Sequence, residues 1–340
     1  MIKEIDRFLS SVLGEFSPKQ QRVIEDRFGL KSGRHQTLQE IGDSLGVTRE
    51  RVRQIEAQVL KKITPRLRKE MGGFLLEVEE YLKSVGGVRR DDHFIADVKM
   101  RWFKNVQIKH LDHKIRFLLW TAGHPRFHKA DDSFDDFWYT DETAKRSFME
   151  FTKKATAFFK RAGKEKVLEN PKAHLALCKD VATCHFYAIP RHFASNVFGD
   201  VGLREWAEIY PKTVRDKAYL VLKKHGKPSH FSEIARLIHT SGLQKKPAHV
   251  QTVHNELIKD NRFVLVGRGM YGLQEHGFAP GTVRDVIATL LKQHGPLDAD
   301  NVIQFVGKQR FLKENTVLLN LQNKKHFERL HDGTYRVREA

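Results

Sequence analysis

Apolar residues recur at steps of three and four from the start of the chain: Ile5, Phe8, Leu9, Val12, Leu13 and Phe16. That spacing predicts one buried stripe on a helix. Ser17-Pro18 restarts a helix, with Ser as N-cap and Pro at the first helical position. Val23, Ile24 and Phe28 form its apolar side, and Gly29 ends it. Thr37-Leu38-Gln39-Glu40 is a capping box that opens a short helix, with Leu38, Ile41 and Leu45 facing inward. Gly46 supplies a tight turn, and Thr48 caps the stretch "VTRERVRQIEAQVLKKI". On a wheel of about 100° per residue, Val52, Ile55, Val59 and Ile63 share one face of it. Pro65 is expected to end or kink that helix.

The opposite face carries Arg49, Glu50, Arg53, Gln54 and the small Ala57. A short helix, a glycine turn and a second capped helix spell helix-turn-helix. The polar face is densest in the first two turns, where a recognition helix touches base edges. Arg suits guanine, Glu accepts from cytosine, and Gln pairs with adenine. The cluster Lys61, Lys62, Arg66, Arg68 and Lys69 suits phosphates, as do the helix N-termini. The wheel alone fits a solvated helix equally well, with charge pairs such as Glu50 with Arg53 or Glu56 with Lys61.

The stretch "SPKQQRVIEDRFGLKSGRHQTLQEIGDSLGVTRERVRQIEAQVLKKI" resembles region four of the housekeeping bacterial sigma factors, over about residues 10–70. RFG, TLQEIG, LGVTRERVRQIEA and the final KK fall in the family's order and spacing. The resemblance implies that the helix starting at Thr48 reads a −35-like element in the major groove of double-stranded DNA. Arg49, Glu50 and Gln54 match the family's base contacts. Arg51 and Arg53 match its additional base-edge and phosphate contacts, and Thr48, Lys61 and Lys62 join them as supporting positions. The family domain also binds the flap of RNA polymerase core, and the apolar faces from Val12 to Phe28 are the expected counterpart. These 340 residues hold no counterpart of the family's −10-reading, core-binding region. The expectation is therefore a protein without promoter-melting activity.

Further along, the chain repeats itself. GLxE, a gap and PxTVRD occur at Gly202–Asp216 and again at Gly272–Asp285, about 69 residues apart. His225-Gly226 and His294-Gly295 keep that offset. Thr252-Val253, Phe263, Gly269 and Tyr271 recur as Thr316-Val317, Phe327, Gly333 and Tyr335, now 64 apart. Each unit reads as three helices (Val214–Lys224, Phe231–Ile238 and Val250–Asp260 in one copy; Val283–Gln293, Ala299–Val306 and Glu314–Asn323 in the other). A hairpin follows, with Gly-x-Gly or Asp-Gly as its turn. Three helices and a hairpin make a winged helix. "GKPSHFSEIARLI" and "TVHNELIKDNRFVLVGRGMYGL" resemble the HARE-type helix-turn-helix module, also found at the N-terminus of the RNA polymerase delta subunit. Its wing residues Arg262 and Arg268 are expected phosphate contacts.

The same pattern extends backwards. "KRSFMEFTKKATAFFKRAGK" reads as a first helix and "HFASNVFGDVGLREW" as a wing. "FLLEVEEYLKSVGG" and "RFHKADDSFDDFWY" read likewise for a unit before it. The alternative is a single all-helical middle domain. The expected fold is mainly α: a helix-turn-helix domain at 1–70, then winged-helix modules at 71–140, 141–210, 211–277 and 278–340.

Composition sharpens the function class. A net charge of +18 and a pI near 9.8 favour a polyanion partner, nucleic acid before an anionic membrane. Two cysteines, no signal-peptide core and no long apolar run point to a cytoplasmic, nucleoid-associated protein. No P-loop, GxGxxG or nucleophile elbow appears, so no enzyme and no cofactor are expected. His174, Cys178, Cys184 and His185 match no zinc-finger spacing, and the aspartates of "ADDSFDD" read as a wing loop, so no metal is expected. Trp102, Trp120, Phe134, Phe137 and Trp138 are expected in the core.

Overall fold

The computed structural model describes residues 4–104, 107–178 and 181–338. The chain divides into two compact units, Met1–Ala194 with Asp200–Arg204, and Ser195–Gly199 with Glu205–Ala340.

The first unit begins with helices α1 (Glu4–Leu13), α2 (Pro18–Phe28) and α3 (Leu38–Leu45). Local chemistry sets their ends. Ser17 and Gln20 form a reciprocal capping box for α2, and Thr37 and Glu40 do so for α3. Gly29 and Gly46 both adopt the left-handed conformation that closes a helix. Thr48 then caps α4, which runs unbroken from Arg49 to Ser84.

That length corrects one half of the expectation at Pro65: the helix does not end there. Proline removes one backbone donor, which orphans the carbonyl of Lys61. Both residues are exposed, so that carbonyl is on the solvent side of the helix, where water can serve it. The buried stripe meanwhile continues through Ile63, Leu67, Met71, Phe74, Val78 and Leu82. Packing on both sides of the proline therefore holds the helix together. The boundary expected near residue 70 falls inside a helix.

The second half of α4 opens the next set of elements: β1 (Val88–Arg90), α5 (Asp91–Trp102), α6 (Leu111–Ala122), β2 (Arg126–His128) and β3 (Phe137–Tyr139). The sheet order is β1-β3-β2, antiparallel, with Tyr139 opposite both Val88 and Arg126. Helix, strand, two helices and a hairpin strand pair form a winged helix. One apolar core runs without a break from Ile5 to Trp138. Phe137 and Trp138 lie in the core as expected, whereas Trp120 is 45% exposed.

From 142 onward the pattern thins. The helix α7 (Glu142–Glu169) is interrupted at Gly163. Two 3-10 segments, Ala173–Leu177 and Val181–Ala188, stand where a winged helix has its second and third helices. The hairpin strands β4 (Phe193–Ser195) and β5 (Val201–Leu203) follow.

The second unit holds two further modules. In the first, α8 (Val214–His225), β6 (Ser229–His230), α9 (Phe231–Thr240), α10 (Val250–Lys259), β7 (Phe263–Gly267) and β8 (Met270–Leu273) make a sheet of order β6-β8-β7. In the last, α11 (Val283–His294), α12 (Ala299–Gln309), α13 (Glu314–Leu321), β9 (Phe327–Arg329) and β10 (Tyr335–Val337) repeat the plan. Thr213 with Asp216, and Thr282 with Asp285, form equivalent capping boxes. Phe311 donates its backbone N–H to the Val266 carbonyl at 2.6 Å, which joins the two modules.

Candidate nucleic-acid interface

The α3–turn–α4 geometry depends on close backbone approach. A Cβ on Gly42 would stand 2.7 Å from the Val47 carbonyl, so only glycine lets α3 lie this near the turn. Gly46 holds φ +63°, which redirects the chain into Thr48. Behind the turn, Val52, Val59 and Ile63 are fully buried and Ile55 nearly so. That burial fixes the rotation of α4 about its axis.

The outward face is consequently set. Thr48, Arg49, Glu50, Arg51, Arg53, Gln54, Ala57 and Gln58 are all exposed. Their side chains are partly organised in advance. Arg53 donates two hydrogen bonds to the Glu50 carboxylate at 2.7 and 2.8 Å. Arg51 donates to the Gln54 side-chain oxygen at 3.2 Å, and the Gln54 amide lies 3.5 Å from Glu50. Arg53 holds the Glu50 carboxyl below its ordinary range. So the charge pair Glu50–Arg53 expected of a solvated helix is present, on the same residues expected to meet bases. Arg49 makes no side-chain hydrogen bond or ion pair among the described residues. The pair Glu56–Lys61 is not formed: Glu56 is buried and faces Arg27 of α2 at 3.6 Å. Arg27 also donates to the Gln36 carbonyl at 3.1 Å, which ties the loop before α3. Sequence reasoning missed this brace, because a glutamate on a charged helix gives no sign of burial until its partner helix is placed.

The expected phosphate residues separate into two groups. Lys61, Lys62 and Lys69 are exposed. Arg66, by contrast, is bound to Glu70, Glu15 and Ser11, and Arg68 donates to the Ala122 carbonyl. Those two arginines fasten α4 to its neighbours. In the second unit, Arg268 sits exposed in the turn between β7 and β8. Arg262 is held differently. It precedes β7, its guanidinium is bound to Asp260 at 2.7 Å and Asp216 at 3.2 Å, and it lies over the Tyr219 ring at 4.6 Å. Two carboxylates thus already share this guanidinium.

The apolar faces from Val12 to Phe28 turn largely inward. Val12, Leu13, Phe16, Val23 and Ile24 are buried within the unit's own core. Phe28 packs edge-on against Phe117 at 4.9 Å and lies 5.2 Å from Trp120. Lys114 of α6 reaches Asp6 of α1 at 2.6 Å, and His113 Nδ1 meets the Phe28 carbonyl at 3.1 Å. Helix α6 therefore covers the side of the helix-turn-helix away from the Arg49 face.

The side chains considered for metal have other work. Asp131 accepts from the backbone N–H groups of Ser133 and Phe134, and Asp91 accepts from Arg116 and Trp138. His174 is buried with Nδ1 2.7 Å from the Pro171 carbonyl. Among the described residues no three His, Cys, Asp or Glu side chains are grouped to hold a metal ion, and no helix is long and apolar enough to cross a membrane.

Comparison with known proteins bears on two segments. Residues 12–64 match the family described as Sigma-70, region 4. Residues 212–276 match the HARE-HTH family, whose description includes the restriction endonuclease HTH domain. The RNA polymerase sigma factor SigA of Clostridium acetobutylicum is 47% identical over 55 residues, 16% of this chain and 15% of that protein. The RNA polymerase sigma factor sigB of Arabidopsis thaliana is 48% identical over 64 residues, 18% of this chain and 11% of its own length. SigA of Listeria monocytogenes is 46% identical over 68 residues, 20% and 18% respectively. The chain thus spans less than a fifth of the curated relatives it matches. No solved structure matches it significantly.

Proposed function

We propose that this chain is a sequence-specific double-stranded DNA-binding protein of bacterial transcription. The carrying observation is the capped start of α4, which presents Arg49, Glu50, Arg51, Arg53 and Gln54 to solvent from a helix locked by its buried stripe. Arg49, Glu50 and Gln54 would meet base edges of a −35-like element in the major groove, where such side chains distinguish all four base pairs. Arg51, Arg53, Lys61 and Lys62 would support them at phosphates, along with the Thr48-capped helix N-terminus. The match of residues 12–64 to sigma region 4 supports this reading and makes RNA polymerase core a second expected partner. Arg268 on the exposed wing of the 214–273 module would add a phosphate contact.

The competing reading is an adaptor that grips the polymerase flap through the faces from Val12 to Phe28. Val12, Leu13, Phe16, Val23 and Ile24 are buried, so a flap contact would rest on what α1 and α2 leave exposed. Selection from a random duplex library, with and without polymerase core, tests the proposal. Enrichment of sites resembling a −35 element by the protein alone is expected. Enrichment only with polymerase present would favour the adaptor.

A further inference from the structure

Helix α7 carries a charge pattern that neither matched segment includes. Between Arg146 and Arg161 it exposes Arg146, Lys153, Lys154, Lys160 and Arg161. None of the five makes an ion pair or side-chain hydrogen bond among the described residues, where most arginines of the first unit are tied to carboxylates. On a helical wheel they fall within an arc of about 120°. The residues opposite, Phe148, Thr152, Ala155 and Phe159, are buried. The cationic arc therefore points directly away from the core. Exposed Ala157 lies in the middle of it, and Glu150 is the one acidic residue within it. Five like charges over about 22 Å of helix repel one another, so they favour a bound polyanion.

The side chains say which polyanion. Lysine is a flexible point charge that suits phosphate and discriminates poorly between bases. No Asn or Gln lies among the five to read a base edge. A membrane-surface helix needs an exposed apolar flank beside its cations. Phe148, Phe159 and Val167 of α7 are buried, and none of the exposed large hydrophobic residues lies on this helix. We infer that the outer face of α7 is a second, sequence-independent docking strip for the phosphate backbone of duplex DNA. The inference rests on the proposed DNA-binding function and extends it to a surface outside the helix-turn-helix.

The test uses the full chain with Lys153, Lys154, Lys160 and Arg161 all changed to Gln. All four are exposed, so an unchanged melting temperature checks the fold. A control variant changes Lys308, Lys313, Lys324 and Lys325 to Gln, which removes the same charge from the C-terminal module. Binding to a random-sequence duplex is titrated at several salt concentrations. Each phosphate contact contributes about 0.9 to the slope of log affinity against log salt. The α7 variant should lose about 2–4 from that slope and at least about tenfold in low-salt affinity. The ratio between selected and random duplex should stay as in the unmodified protein, whereas Arg49→Ala with Gln54→Ala should lower that ratio and leave most of the slope. An unaltered slope in the α7 variant overturns the strip. So does an equal fall in the control variant, or a loss confined to single-stranded RNA or anionic vesicles. Failure of the unmodified protein to bind any duplex overturns both the strip and the function it rests on.

Discussion

Two winged helices in this chain share one topology and differ in what their third helix faces. In both, a helix and a short strand precede two helices and a hairpin, and the sheet order places the last strand in the middle. The third helix of the first is α6. Six of its apolar residues are buried, and it is pressed against the helix-turn-helix through Phe117, His113 and Lys114. The third helix of the second is α10. It buries Val253 and Leu257 and leaves Gln251, Thr252, Asn255 and Lys259 exposed. The position that often enters a DNA groove is spent in α6 on bracing a neighbour. Topology alone does not assign a function here; the face left open does.

The comparison breaks most visibly at Phe117. It is fully buried, with Phe28 on its edge. Phe117→Ala should destabilise the first unit by about 3–5 kcal/mol, measured by denaturant unfolding. A loss under about 1 kcal/mol would mean that α6 is not a brace. A smaller effect concerns the Arg27–Glu56 tie inside the helix-turn-helix. Burial raises the Glu56 carboxyl above its ordinary 4.5, against the pull of Arg27. A folded pKa above the unfolded one favours folding at pH below the unfolded value, and that contribution is lost as pH rises through the folded pKa. The stability of the unmodified protein relative to Glu56→Gln should therefore fall as pH rises above 4.5. A difference that stays flat with pH would show that Glu56 ionises as it does in the unfolded chain. The smallest effect is expected on α10, where Asn255→Ala should alter stability by no more than about 0.5 kcal/mol. A larger loss would place Asn255 in a packed contact and erase the contrast with α6.

Much of this is legible in the sequence because it is local. Ser17, Thr37, Thr48, Thr213 and Thr282 cap their helices through atoms within three residues, so short motifs suffice to find them. The repeat places the helices of both second-unit modules to within three residues at each end. The helix through Pro65 escapes a local reading because the breaker is a local signal, while the stripe from Ile63 to Leu82 that overrides it is spread over about five turns. Of the two carboxylates that hold Arg262, Asp260 is two residues before it and visible in the sequence, whereas Asp216 lies far away along the chain. The cover that α6 places over Phe28 is hidden because it too comes from far along the chain. One hint is present: α6 is apolar at Leu111, Ile115, Phe117, Leu118, Leu119 and Ala122, too many faces for a helix with one buried side. The Glu50–Arg53 pair shows the limit of a wheel, since the same side chains satisfy both the bland and the reading interpretation.

The central claim is that the first two turns of α4 read bases. The most direct measurement is a binding profile over every single-base variant of the selected site, for the unmodified protein and for Arg49→Ala and Gln54→Ala separately. Each substitution should cost about 1–3 kcal/mol on the preferred site and relax discrimination at one base position, a different one for each residue. Equal weakening across all duplexes, with every positional preference retained, would contradict the claim and leave α4 a charged helix that binds phosphates.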